Sequence, residues 1–256
     1  MTDWPSFLCA MTLALIRVSG IFVFAPPFNS SAIAVRTKAV LAGLIAWLVS
    51  PLVAGLPGAH PQLTATSILG ELAVGLVYGL CLAMLNEMLL FAGQVLGMQL
   101  SFSLVNLMDP TSSQQMPLLA DLFQLIGTLV IFAAGLDRIL LASVIRSFHA
   151  VPLGGYALAP TVATTIVRDF GGVFLAAIEL AAPVLSATML VELSVSLLGK
   201  LSPQLPVMNL SVPIKTLTGF AVMMGSLALW PHFVEDRFAS LLNLAERLIA
   251  APAHGG

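Results

Sequence analysis

Charge is what this sequence has least of: Asp, Glu, Lys and Arg make up 9% of it, where soluble domains carry about a quarter. With 59% hydrophobic residues in a chain of 256, that scarcity excludes a globule bathed in water and indicates an integral membrane protein. Ten basic and twelve acidic residues stand singly and leave a formal net charge of −2, so no basic block is available to grip nucleic acid and there is no acidic tail. Nucleic acid is thereby excluded as a partner. Cysteine is nearly absent too. Cys9 and Cys81 sit inside apolar runs without C-x-x-C or Cys/His spacing, so they read as small core residues and leave the redox compartment open. His60, His149, His232 and His254 are isolated, with no H-E-x-x-H, Walker lysine or G-x-G-x-x-G and no recognisable catalytic Ser, Cys or Asp motif. The chain therefore carries no candidate catalytic, cofactor-binding or metal-binding residue, and nucleotide-driven work would fall to another protein. Its start, MTDWPSF, has an acid where a secretory signal has lysines and no small-residue cleavage site after the first apolar run, so that run is expected to persist in the mature protein.

What the chain does contain is long greasy runs, at about 7–24, 39–56, 68–105, 118–148, 171–199 and 214–230. The separators, about 25–38, 57–66, 106–117, 149–169 and 200–213, all carry proline, which punctuates helical hairpins. Alternating strand patterns are missing and the runs exceed a barrel strand's ten or so residues. The fold class is therefore all-α, with about six apolar helical segments in one membrane domain spanning 1–256. Lys and Arg number two in the first connection (Arg36, Lys38), none in the next two, and two in each of the Arg146/Arg168, Lys200/Lys215 and Arg237/Arg247 regions, a bias between alternate sides too small for the positive-inside rule to give an orientation.

The run from Ile68 to Val105 organises the rest. It lacks proline and bears only Glu71 and Glu87, so as one helix it would be about 57 Å long, against about 30 Å of bilayer hydrocarbon. The loop after it, NLMDPTSSQQMP, breaks helix at Asp109-Pro110, and apolar sequence resumes at Leu118. A small polar plug is thus set between two apolar rods.

Arg17, Glu71, Glu87, Asp121, Asp137, Arg138, Glu179 and Glu192 lie in or at the ends of apolar segments, where a lipid-exposed charge costs about 2.5–3.5 kcal/mol. They are expected to face protein or water, as interhelical or intersubunit glue in preference to an ion path. Gly75 and Gly79 share a face with Glu71, and Gly93 and Gly97 form a second small-xxx-small pair; both pairs suit close approach of neighbouring helices. Pro183 releases the carbonyl of Glu179 and should shape its helix. The likeness of Glu71-Leu-Ala-Val-Gly-Leu to Glu192-Leu-Ser-Val-Ser-Leu is ascribed to biased composition and not to a repeat. The tail, 233–250, repeats Val234, Phe238, Leu241, Leu242, Ala245, Leu248 and Ile249 with helical rhythm, giving an amphipathic helix for the membrane interface or for a partner.

Arg17 with Ala25-Pro26-Pro27 and Arg36, the Glu71, Gly75, Gly79 series, Gly93 and Gly97 leading to Met108-Asp109-Pro110, and the block Leu201-Ser-Pro203-Gln204-Leu-Pro through Pro213-Ile-Lys215 resemble the FliR/SctT family of type III secretion export-gate proteins. The likeness runs through nearly the whole chain. It departs at Pro206-Val207-Met208, where the family usually shows an asparagine and then Val-Phe. The resemblance implies a subunit of a helical-spiral hetero-oligomer with FliP-like and FliQ-like subunits, beside FlhB-like and FlhA-like proteins. That assembly sits in the bacterial inner membrane at the flagellar basal body, or at an injectisome, and passes unfolded polypeptide. The resemblance also implies that the connection 106–117 enters and plugs the pore, with Met108, Asp109, Pro110, Gln114, Gln115 and Met116 as the plug residues. Met and Gln are adaptable side chains suited to sealing and yielding. From the residues alone, without the resemblance, an ordinary polar hairpin loop is the preferred reading. A different class of function also fits: a stand-alone transporter of a small solute using Glu71, Glu87 or Glu179 as proton carriers. An intramembrane hydrolase lacks motifs.

Overall fold

The computed structural model describes residues 4–26, 28, 34–100, 118–156, 160–202 and 207–250. Among them every regular element is helical: α1 (Trp4–Phe24), α2 (Val35–Ala54), α3 (Ala65–Gln99), α4 (Leu118–Ala133), α5 (Leu136–Ala150), α6 (Pro160–Leu201), α7 (Val207–Ser226), a 3-10 turn (Leu227–Leu229) and α8 (Trp230–Ala250). Five stretches are long and apolar enough to cross a membrane, namely Trp4–Phe24, Val35–Ala54, Ala65–Gln99, Val162–Leu201 and Ser211–Ala250. A sixth is added if α4 and α5 count as one broken span. The all-α membrane class and the number of apolar segments agree with the sequence.

Element boundaries differ in instructive ways. The segment 118–148 is not one helix, because Gly135 takes a left-handed φ of 68° and starts α5 afresh. Much of the separator 149–169 is helical: Pro160 opens α6, at the first position, where a missing N–H costs nothing. The separator 200–213 likewise yields to α7, which keeps Pro213 inside it at the loss of one backbone hydrogen bond. The separator 25–38 gives its last residues to α2, which begins at Val35. Helix α3 has 35 residues, about 52 Å at 1.5 Å per residue, and α6 has 42 with Pro183 within it.

Two compact units can be distinguished. The first comprises Met1–Leu85, Ile131–Phe170 and Glu235–Gly256. Here α1 packs on α2, and Leu13, Ile21, Tyr78, Leu82, Val144, Phe148 and Phe238 are sealed from solvent. Where α1 crosses α3, glycine faces glycine: a Cβ on Gly20 would lie 3.0 Å from the Gly75 backbone. The apolar face of α8, Phe238, Leu242, Ala245, Leu248 and Ile249, is buried within this chain. The amphipathic tail is therefore committed to its own core, in place of the lipid interface or partner expected from its pattern.

The second unit comprises Asn86–Val130 and Gly171–Val234. Leu89, Ala92, Leu96 and Leu100 of α3 are buried in it, as are Ala177, Ala181 and Val184 of α6. The rings of Phe123 and Trp230 lie 4.3 Å apart, and those of Phe91 and Phe174 meet edge to face at 4.9 Å.

Candidate functional site

In the first unit the residues of greatest interest converge on Arg17, which is fully buried on α1. Its Nε donates to Glu71 Oε2 of α3 at 2.5 Å, and Nη2 donates to the Val151 carbonyl at 3.0 Å. Nη1 lies 3.4 Å from Ser147 Oγ of α5, and the guanidinium stacks 4.2 Å from the Phe148 ring centroid. The other Glu71 oxygen accepts the Gly154 N–H at 3.0 Å. Gly154 has a φ of 76°, and a Cβ there would lie 2.8 Å from the His60 carbonyl, so only glycine brings that N–H to the carboxylate. Removing two charges from water costs several kcal/mol per ion. The guanidinium fork, a second oxygen acceptor and an aromatic face offset that cost by occupying the donors of Arg17 and both oxygens of Glu71. The pair thus ties α1, α3, the end of α5 and the turn after it into one register. Glu71 also marks the close crossing: a Cβ at Gly75 would fall 2.6 Å from the Arg17 carbonyl, and one at Gly79 would fall 2.7 Å from that of Gly20.

In the second unit the end of α3 is held from two sides. Gln99 Nε2 donates to Thr188 Oγ1 of α6 at 3.2 Å, and Thr216 Oγ1 of α7 reaches the Leu100 carbonyl at 3.3 Å. Leu100 fills the space beside Gly219, where a Cβ would collide with its side chain. One to two turns along from Thr188 and beside Thr216, Lys215 donates to Glu192 Oε1; the lysine is buried and the glutamate half-exposed. The start of α4 is seated as firmly. A Cβ on Gly93 would stand 2.8 Å from both Ala120 N and the Leu119 carbonyl. Both neighbours of residues 101–117 are therefore fixed in one packed frame.

The remaining candidates are distributed as follows. Glu87, Asp121, Glu179 and Arg138 are exposed, and Asp137 is partly so. Asp121 lies in the first turn of α4, where the helix dipole favours a carboxylate. A Cβ at Gly97 would meet nothing within 4 Å. Pro213 is exposed on α7. Met108, Asp109, Pro110, Gln114, Gln115 and Met116, with Pro203 and Gln204, fall outside the described residues. Ser147, Phe148, Val151 and Gly154 went unnoticed in the sequence: their contribution is one hydroxyl, one ring and two backbone groups, and only the Gly154-Gly155 pair hinted at a special turn. Among the described residues no group of His, Cys, Asp and Glu could hold a metal ion.

A family model described as "Bacterial export proteins, family 1" matches residues 8–241. The chain is 24% identical over 252 residues to the Flagellar biosynthetic protein FliR of Escherichia coli (strain K12), covering 97% of this chain and 95% of that protein. It is 25% identical over 257 residues to the protein of the same name from Bacillus subtilis (strain 168), covering 96% and 95%. The corresponding protein of Caulobacter vibrioides is 23% identical over 246 residues, covering 95% and 97%.

Proposed function

The chain belongs to the bacterial export proteins, family 1, and on that premise we propose that it is the structural subunit that helps form and plug the channel of the flagellar export gate. Membership makes it a membrane component of the flagellar export apparatus, seated in the inner membrane at the basal body and associated with other components of that apparatus. Its work there is conduction of unfolded polypeptide, without chemistry of its own. Its neighbours are FliP-like and FliQ-like subunits, with FlhB-like and FlhA-like proteins alongside.

The observation that carries the plug reading is the stem: both ends of residues 101–117 are clamped, one by Thr188, Thr216 and Gly219, the other by Gly93. A segment that must seal a passage and yield to traffic needs fixed ends, and Met108, Asp109, Pro110, Gln114, Gln115 and Met116 supply adaptable side chains between them. The competing transporter reading asks Glu71 to exchange protons, yet both of its oxygens are engaged in a buried, fully packed contact.

Two measurements test the proposal. Tagged chain purified from membranes should bring down FliP-like and FliQ-like subunits in one detergent-stable assembly. Deleting residues 109–116 should leave that assembly intact but make membranes permeable to small ions. Solute uptake by the isolated chain, abolished by neutralising Glu71, Glu87 or Glu179, would overturn it.

A further inference from the structure

Glu87 is a carboxylate of an apolar helix for which the described residues supply no partner. It stands 12 residues before the end of α3, too far in for a helix terminus to offer it backbone N–H groups, and the residues one turn away on either side, Ala83, Met84, Leu90 and Phe91, are apolar. It is exposed and forms no hydrogen bond or ion pair with any described residue. All ten Lys and Arg residues of the chain are among the described ones, and none of them is ion-paired with Glu87. The second unit as a whole is acidic in the same sense, with five carboxylates (Glu87, Asp109, Asp121, Glu179, Glu192) against Lys200 and Lys215.

Two further features share its face. Gln94 and Met98, seven and eleven residues on, fall on the same side of the helix and are exposed. Gly97 lies next to them with open space where a Cβ would point, unlike Gly93, which is filled by α4. A carboxylate and an amide on an apolar membrane helix are expensive in lipid and are normally covered by protein. A bare glycine beside them lets another helix backbone come close.

Building on the export-apparatus reading, we propose that the Glu87, Gln94, Gly97 and Met98 face of α3 seats a membrane helix of another export-apparatus component, one that carries a Lys or Arg opposite Glu87. The acid selects the partner's charge, Gln94 supplies a second polar contact, and Gly97 sets the distance of closest approach. An ion pair removed from water on both sides gives specificity as well as adhesion, since a partner without the base would leave Glu87 buried and unpaired.

The test uses the full chain in its native membrane with a photo-reactive phenylalanine in place of Gln94. Illumination should yield a covalent adduct with an export-apparatus component, the linked peptide lying in an apolar helix that contains Lys or Arg. In parallel, Glu87→Lys and Gly97→Leu should each lower recovery of the assembly by roughly tenfold or more. Gly97→Leu is the control for folding, because a Cβ there meets nothing within 4 Å in the chain and the variant should retain its helix content and thermal transition. Adducts with lipid alone, or full recovery of the assembly with both variants, would overturn the seating of this helix while leaving the export-gate reading intact. If the unsubstituted chain brings down no export component at all, it is the gate reading that fails, and this inference falls with it.

Discussion

Arg17 and Glu71 are worth more as a pair than either is alone, because each is fully buried and each is the other's only counter-charge in the knot. Taking one away strands the other in a low-dielectric core, a loss of about 3–5 kcal/mol. Arg17→Leu and Glu71→Leu should each lower the thermal transition of the purified protein strongly. The double variant should recover a large part of the loss, since two well-packed apolar side chains avoid the desolvation cost altogether. A double variant no better than the worse single one would mean that the Val151, Ser147 and Gly154 contacts, and not the charge pair, carry the register.

At the scale of elements the glycines of α3 are not interchangeable. Gly75 sits where a Cβ would press on the Arg17 carbonyl at 2.6 Å, backbone that cannot move aside cheaply. Gly75→Ala should therefore cost about 1–3 kcal/mol through overpacking, seen as a lower denaturation midpoint, although alanine is the better helix former. Equal stability of this variant and the parent would contradict the close α1/α3 crossing. Helix α8 offers a second check. Phe238 is 1% exposed, so Phe238→Ala should cost about 3–5 kcal/mol, whereas a helix lying on the membrane surface would lose only lipid affinity. Both can be followed by the temperature at which detergent-solubilised protein loses its helical circular dichroism.

At the scale of the whole molecule, the chain leaves much of its apolar surface uncovered: Trp47, Leu48, Leu129, Leu193 and Leu217 are each at least 59% exposed. Lipid accounts for such faces on spanning helices, and the proposed gate assembly would cover the rest. Produced without the other export components, the chain should self-associate heterogeneously in mild detergent. Co-produced with them, it should elute as one large species of defined mass by light scattering. A monodisperse monomer in the first case would argue that its surfaces are finished without partners.

The sequence by itself determined the class: too few charges for water, runs too long for strands and prolines at intervals leave only bundled apolar helices, because the bilayer demands that backbone polar groups be satisfied within each segment. It also marked which charges are anomalous, since a carboxylate in such a run is costly wherever it goes. It did not say where each would go. That Arg17 meets Glu71 across 54 residues, that Lys215 meets Glu192, that Glu87 is ion-paired with no described residue, and that α8 turns its apolar face inward were decided only by the tertiary structure. Periodicity records what one helix presents, whereas the partner of a buried group depends on which surfaces fit together in space. Gly135 and Pro160 make the same point for boundaries: glycine and proline are permissive residues, and packing decides whether one breaks a helix or begins it.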